Sequence, residues 1–129
     1  MPRWLLKRLA AAGLGVQLLA GCGEAPLPQR QLRSDDCLRE LKIENLAAQI
    51  ARCDDVVARF PNLPAPLNER YLLLSLAGRD QEACRDIRRA HDLARRSTAE
   101  GLDEQLKGEL KLRTELCNRW QRHQADNRS

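Results

Sequence analysis

Leu46, Ile50, Cys53, Val57 and Phe60 step along the chain by four, three, four and three residues, and Pro61 ends the series. That spacing lines five apolar side chains along one face of an α-helix, whereas a strand would scatter them over both faces. The stretch therefore reads as an amphipathic helix with one buried stripe. Beyond Ser34 the only β-branched residues are Ile43, Ile50, Val56, Val57, Ile87, Thr98 and Thr114, and no stretch alternates with period two. Leu, Ala, Arg, Glu and Gln dominate instead, a composition that favours helices over strands. The expected fold class is all-α: antiparallel helical hairpins in a small bundle.

Four more helices are expected around that stripe. Asp35 or Asp36 caps a short one running to about Lys42, with Cys37, Leu38 and Leu41 turned inward. Three prolines from Pro61 to Pro66 interrupt the chain. The next helix runs from about Pro66 to Ala77 and is apolar almost all round at Leu72, Leu73, Leu74 and Leu76, which marks it as the central, most buried element. Gly78 suits its left-handed C-terminal cap, and Asp80 suits the cap of the following helix, Gln81 to Arg96. There Ala83, Ile87, Ala90 and Ala94 share a stripe, with Cys84 and His91 beside it. The last helix ends near Arg122 and aligns Leu106, Leu110, Cys117 and Trp120. Its start has two readings, a capping box from Ser97 to Glu100 or a later start near Asp103 after a turn at Gly101.

Leu74, Gly78, Ala83, Ile87 and Ala90, spaced by four, five, four and three, resemble the helix-turn-helix of the tetratricopeptide family. A shift of about 34 residues back reaches Gln49, Cys53 and Val56, with Pro61 where that family often closes a repeat. The same shift forward reaches Gly108, Leu112, Cys117, Gln121 and Gln124, where the pattern fails. The likeness spans about one and a half units, and a generic helical bundle fits nearly as well. It implies two closely packed antiparallel helices and carries no binding residue across.

The N-terminus has a different character. Arg3, Lys7 and Arg8 precede a run of 13 small and mostly apolar residues, Leu9 to Gly21, the layout of a secretory signal. A helix of that length covers about 20 Å, too little for a hydrocarbon core about 30 Å thick. Leu19, Ala20, Gly21 and Cys22 resemble the lipobox of bacterial lipoproteins. The resemblance implies lipid transfer to the Cys22 thiol, cleavage before it and acylation of the new amino group. Two or more acyl chains hold a protein stably at a bilayer. Residues 1–21 thus read as signal peptide, 22–34 as lipidated terminus and tether containing Pro26 and Pro28, 35–123 as one helical domain, and 124–129 as a polar tail. The location implied is the bacterial envelope, facing the periplasm. Gly23 stands where many inner-membrane lipoproteins have aspartate, which points to the outer membrane.

Cleavage would leave 108 of 129 residues, and 19 of the 22 Lys and Arg against 18 Asp and Glu. The high pI is then largely a property of the signal, and no global field remains for nucleic acid. Four cysteines would also remain, an even number in an oxidising compartment, so two disulfides are expected. Of three pairings, the symmetry of antiparallel hairpins favours Cys37 with Cys53 and Cys84 with Cys117. Their midpoints fall at position 45 and between Glu100 and Gly101, both at expected turns.

The site-bearing residues are few. No C-x-x-C pair occurs, and His91 and His123 lack ligand spacing, so no metal or other cofactor is expected. The acidic pairs Asp35 and Asp36, Asp54 and Asp55, and Asp103 and Glu104 are accounted for by helix starts or solvent faces. With no nucleophile-base motif and no glycine-rich phosphate loop, the chain does not read as an enzyme. Arg85, Arg88, Arg89, Arg95 and Arg96 are the one local concentration of positive charge. Acidic neighbours Glu82, Asp86 and Asp92 favour a solvated face over an anionic partner or lipid headgroup. Tyr71 and Trp120 are the candidate anchors for a partner, provided they are exposed. The leading expectation is a membrane-anchored adaptor or pilotin-type lipoprotein binding an envelope protein. The alternatives are an envelope-maintenance protein binding anionic surfaces and, last, an enzyme or metal module.

Overall fold

The computed structural model describes residues 30–96 and 102–129. Cys22, the signal, most of the tether and the Ser97 to Glu100 cap lie outside the described residues. The chain divides into two compact units, Met1–Arg30 and Gln31–Ser129, and the second holds every helix described. A 3-10 turn at Ile43–Asn45 leads into α1 (Leu46–Arg59), followed by α2 (Pro64–Leu76), α3 (Asp80–Arg96) and α4 (Glu104–Asp126), with no strand among the described residues. The fold is a small all-α bundle, as the composition predicts.

Helix α2 packs against both α1 and α3, while α4 packs on α3. The core gathers Ile50, Cys53, Val56 and Val57 from α1, Leu67, Leu73 and Leu74 from α2, Ala83, Cys84, Ile87 and Ala90 from α3, and Leu110 and Cys117 from α4. These are largely the periodic positions, and each fully buried leucine or isoleucine contributes about 2 kcal/mol. The hairpin residues Leu74, Ala83, Ile87 and Ala90 are all buried at the α2–α3 junction. Gly78 takes φ +70°, and the amides of Ala77 and Arg79 return to the carbonyls of Leu73 and Leu74, closing α2 with the left-handed cap expected there. The central helix is less enclosed than its leucines suggest: Leu72 is half-buried and Leu76 is 57 % exposed.

The helix expected from Asp35 to Lys42 does not form. Arg33 and Asp36 make a turn, the Asp36 carboxylate accepting from the Arg33 amide at 2.7 Å, and Glu40 adopts φ +53°. The amide nitrogen of Gln49 on α1 donates to the carbonyls of Cys37 and Arg39, which a helix would have used for its own ladder. A long-range side chain thus satisfies this backbone in an irregular path. Other boundaries move less. α2 starts two residues early because Pro64 and Pro66 sit in its first turn, where amide donors have no intrahelical acceptor. Arg79, rather than Asp80, precedes α3, its carbonyl accepting from the Ala83 amide. Asp103 caps α4, accepting from the Leu106 amide at 2.7 Å, and the helix runs on to Asp126, through part of the expected tail.

Cys37 is joined to Cys53 and Cys84 to Cys117, the pairs favoured by turn symmetry. The first ties the irregular segment onto α1, and the second fastens α4 to α3. No helix among the described residues is long and apolar enough to cross a membrane.

Candidate functional site

Helix α4, at 23 residues, is longer than the 17-residue α3 on which it packs. Its C-terminal half meets the turn that joins α2 to α3, and the two enclose a groove of about 610 Å³. Gly78 to Glu82 form one wall; Trp120, Gln121, Gln124, Ala125 and Arg128 form the other. Trp120 extends the stripe of Leu110 and Cys117, so its ring is half-buried against the core while also lining the groove. On the opposite wall Arg79 pairs with Glu82 through two hydrogen bonds at 2.6 and 2.7 Å. The hydrogen bond from Arg79 holds the Glu82 carboxyl below its usual range, with further attraction from Arg79, Arg85 and Arg70. An aromatic wall flanked by amides and a neutralised ion pair suits an extended polypeptide, because backbone groups find donors and acceptors there. The described residues that line the groove include no Ser, Cys or His, and its carboxylates are Asp80 and Glu82.

Tyr71, the other aromatic candidate, is separate from this groove. It is half-buried on α2, and the Arg113 guanidinium of α4 lies 5.4 Å from its ring centre. Arg113 also donates to the side-chain oxygen of buried Asn68 and pairs with Glu109 at 3.3 Å. Asn68 in turn donates to Glu109 at 2.9 Å. Hydrogen bonds from Gln105 and Asn68 keep the Glu109 carboxyl below its usual range. This network joins α2 to α4, and it gives Tyr71 a positioning role inside the fold. Spacing alone marks Glu109 and Arg113 as a possible i, i+4 pair, but Asn68 and Tyr71 come from a different helix and carry no such mark.

The arginines and their neighbours divide. Arg85, Arg89, Arg95 and Arg96 are exposed and Arg88 is half-buried. Asp86 points inward and is 7 % exposed, held by Arg70, and Glu82 is held by Arg79. Asp86 and Glu82 thus each pair with an arginine outside this group. His91 is half-buried beside a smaller hollow of about 180 Å³ between α3 and α4. Among the described residues no group of three or more His, Cys, Asp or Glu is placed to hold a metal ion.

One further carboxyl stands apart. Glu69 on α2 has one carboxylate oxygen buried without a hydrogen-bond partner. Burial, then repulsion from Asp35, raises its pKa to about 7. Comparison of the chain with models of protein families, with curated proteins and with solved structures returned no match.

Proposed function

We propose that this chain is an envelope lipoprotein, anchored through Cys22, whose helical domain holds a segment of a partner protein in the groove beside Trp120. The observation that carries the binding half is the dual position of Trp120, which is fixed against the core on one side and open to a groove on the other. Rigid aromatics of this kind dominate the energetics of protein interfaces because they bury much area at little entropic cost. The anchoring half rests on the sequence of residues 19 to 22.

Both halves are open to test. A clickable fatty-acid analogue should label the protein in growing cells, and Cys22→Ala should abolish the label. Trp4 and Trp120 are the only tryptophans, and cleavage before Cys22 removes the first. The emission of Trp120 then reports on the groove directly, and it should shift to the blue when partner is added to the purified mature protein. Label-free wild type refutes the anchor, while unchanged emission with a captured partner refutes the groove.

A further inference from the structure

The outer face of α3 carries five arginines on one side. At about 100° per residue, Arg85, Arg88, Arg89, Arg95 and Arg96 fall within an arc of about 120°, opposite the buried Ala83, Ile87 and Ala90. They span about 16 Å of helix, three turns. Arg89 is pinned, donating to the carbonyl of Pro61 at 3.0 Å. Arg95 and Arg96 make no hydrogen bond or ion pair with any described residue, Arg85 attracts Glu82 without a hydrogen bond, and one nitrogen of Arg88 is buried without an acceptor. With Asp86 turned inward to Arg70, Asp92 is the only acidic residue among them.

We infer that this face docks on the anionic phospholipid headgroups of the bilayer that holds the protein's own lipid anchor. The inference rests on the anchoring half of the function proposed above. Charge complementarity selects an anionic surface, and the absence of apolar anchors selects lipid over protein. The exposed large hydrophobics, Leu41, Ile43, Leu76, Leu112 and Leu116, all belong to other elements. A protein interface centres on apolar or aromatic residues, whereas a sheet of phosphates asks only for spaced positive charge. Chain length keeps the domain near that bilayer: Arg30 follows Cys22 by eight positions, a span of at most about 29 Å. Docking would also give the domain a fixed orientation on the membrane and so a fixed direction for the Trp120 groove.

The test uses mature protein purified from the envelope and reconstituted into vesicles containing a dansyl-labelled lipid. Energy transfer from Trp120 to dansyl reports how closely the domain approaches the bilayer. Transfer should rise about twofold when about one third of a phosphatidylcholine vesicle is replaced by phosphatidylglycerol, and fall back at high salt, where screening is strong. Each of Arg85→Gln, Arg95→Gln and Arg96→Gln should lower the ratio of docked to undocked protein about fivefold, while the corresponding lysine variants retain most of it. Equal transfer on neutral and anionic vesicles overturns the inference, as does a triple glutamine variant that docks like wild type. An acidic protein that co-purifies through these arginines without any lipid dependence overturns it too. Failure of the protein to stay with neutral vesicles refutes the anchor separately. The arginine face is then judged by flotation with anionic vesicles, and no flotation overturns it.

Discussion

Arg70 on α2 grips Asp86 on α3 with two hydrogen bonds, Nε to Oδ2 at 2.6 Å and Nη2 to Oδ1 at 2.8 Å. Its remaining nitrogen reaches Asp54 on α1 at 2.8 Å, so one guanidinium links three helices. The hydrogen bond to Asp86 raises the pKa of Arg70 against the opposing effect of burial. The pairing also withdraws a negative charge from α3, which leaves the outer face of that helix more basic than its sequence suggests.

Removing one partner strands the other charge in a site nine-tenths closed to solvent at Asp86. Arg70→Ala should therefore destabilise the domain by about 3 kcal/mol, read by urea denaturation. Replacing both, as Arg70→Met with Asp86→Leu, should recover most of that loss because no buried charge remains unpaired. A double variant as unstable as the single one would contradict this account.

Glu69 makes stability depend on pH. Its folded pKa of about 7 lies above the ordinary 4.5, so the folded state holds its proton more tightly than the unfolded chain does. Stability contributed by the neutral carboxyl is complete below the unfolded value and is lost as pH rises through about 7. Glu69→Gln should match wild type in melting temperature at about pH 4 and exceed it at about pH 8. Equal melting temperatures at the higher pH would show that Glu69 is not desolvated.

The disulfides act on different parts of the molecule. Cys84–Cys117 closes a sequence separation of 33 residues and holds α4, whose fully buried side chains are only Leu110 and Cys117. Its replacement by two alanines should cost about 3 kcal/mol, and amide exchange in α4 should rise before that in α2. Cys37–Cys53 holds a segment that has no helix of its own. Breaking it should loosen residues around Asp35 first, and with them the repulsion that Asp35 exerts on Glu69.

Much of this arrangement is legible in the sequence, for local reasons. The α1 stripe, the Gly78 cap and the packing of Ala83, Ile87 and Ala90 all follow from spacing along a single helix or hairpin. Both disulfide pairs follow from turn symmetry, although the first joins an irregular segment to α1 where a helical hairpin was expected. What escapes is set by partners distant in sequence. The Gln49 amide diverts the backbone at Cys37 and Arg39 from helix, and nothing within residues 35–42 reveals it. The burial of Asp86 depends on Arg70, 16 residues away. Trp120 is readable as the end of a stripe, but the groove beside it exists only because the α2–α3 turn faces α4 there.

Trp120→Ala removes a half-buried ring, and the expected loss is about 1 to 2 kcal/mol, well below that for a fully buried tryptophan. Far-UV circular dichroism should be unchanged at room temperature. Capture of the partner should fall at least tenfold, since a hot-spot aromatic contributes more to binding than its exposed area to stability. Tyr71→Ala should show the reverse balance, losing stability through the Arg113 contact with little effect on capture.

Whether the domain holds a protein segment in the Trp120 groove, as proposed, is read by site-specific photocrosslinking in intact cells. A benzophenone amino acid is placed at Gln121, inside the groove, or at the exposed Asn62, in the connection before α2 and so at the opposite end of that helix from the groove. One discrete crosslinked protein is expected from position 121, absent from position 62 and lost in combination with Trp120→Ala. No adduct from position 121, or the same adduct from both positions, would contradict the proposal.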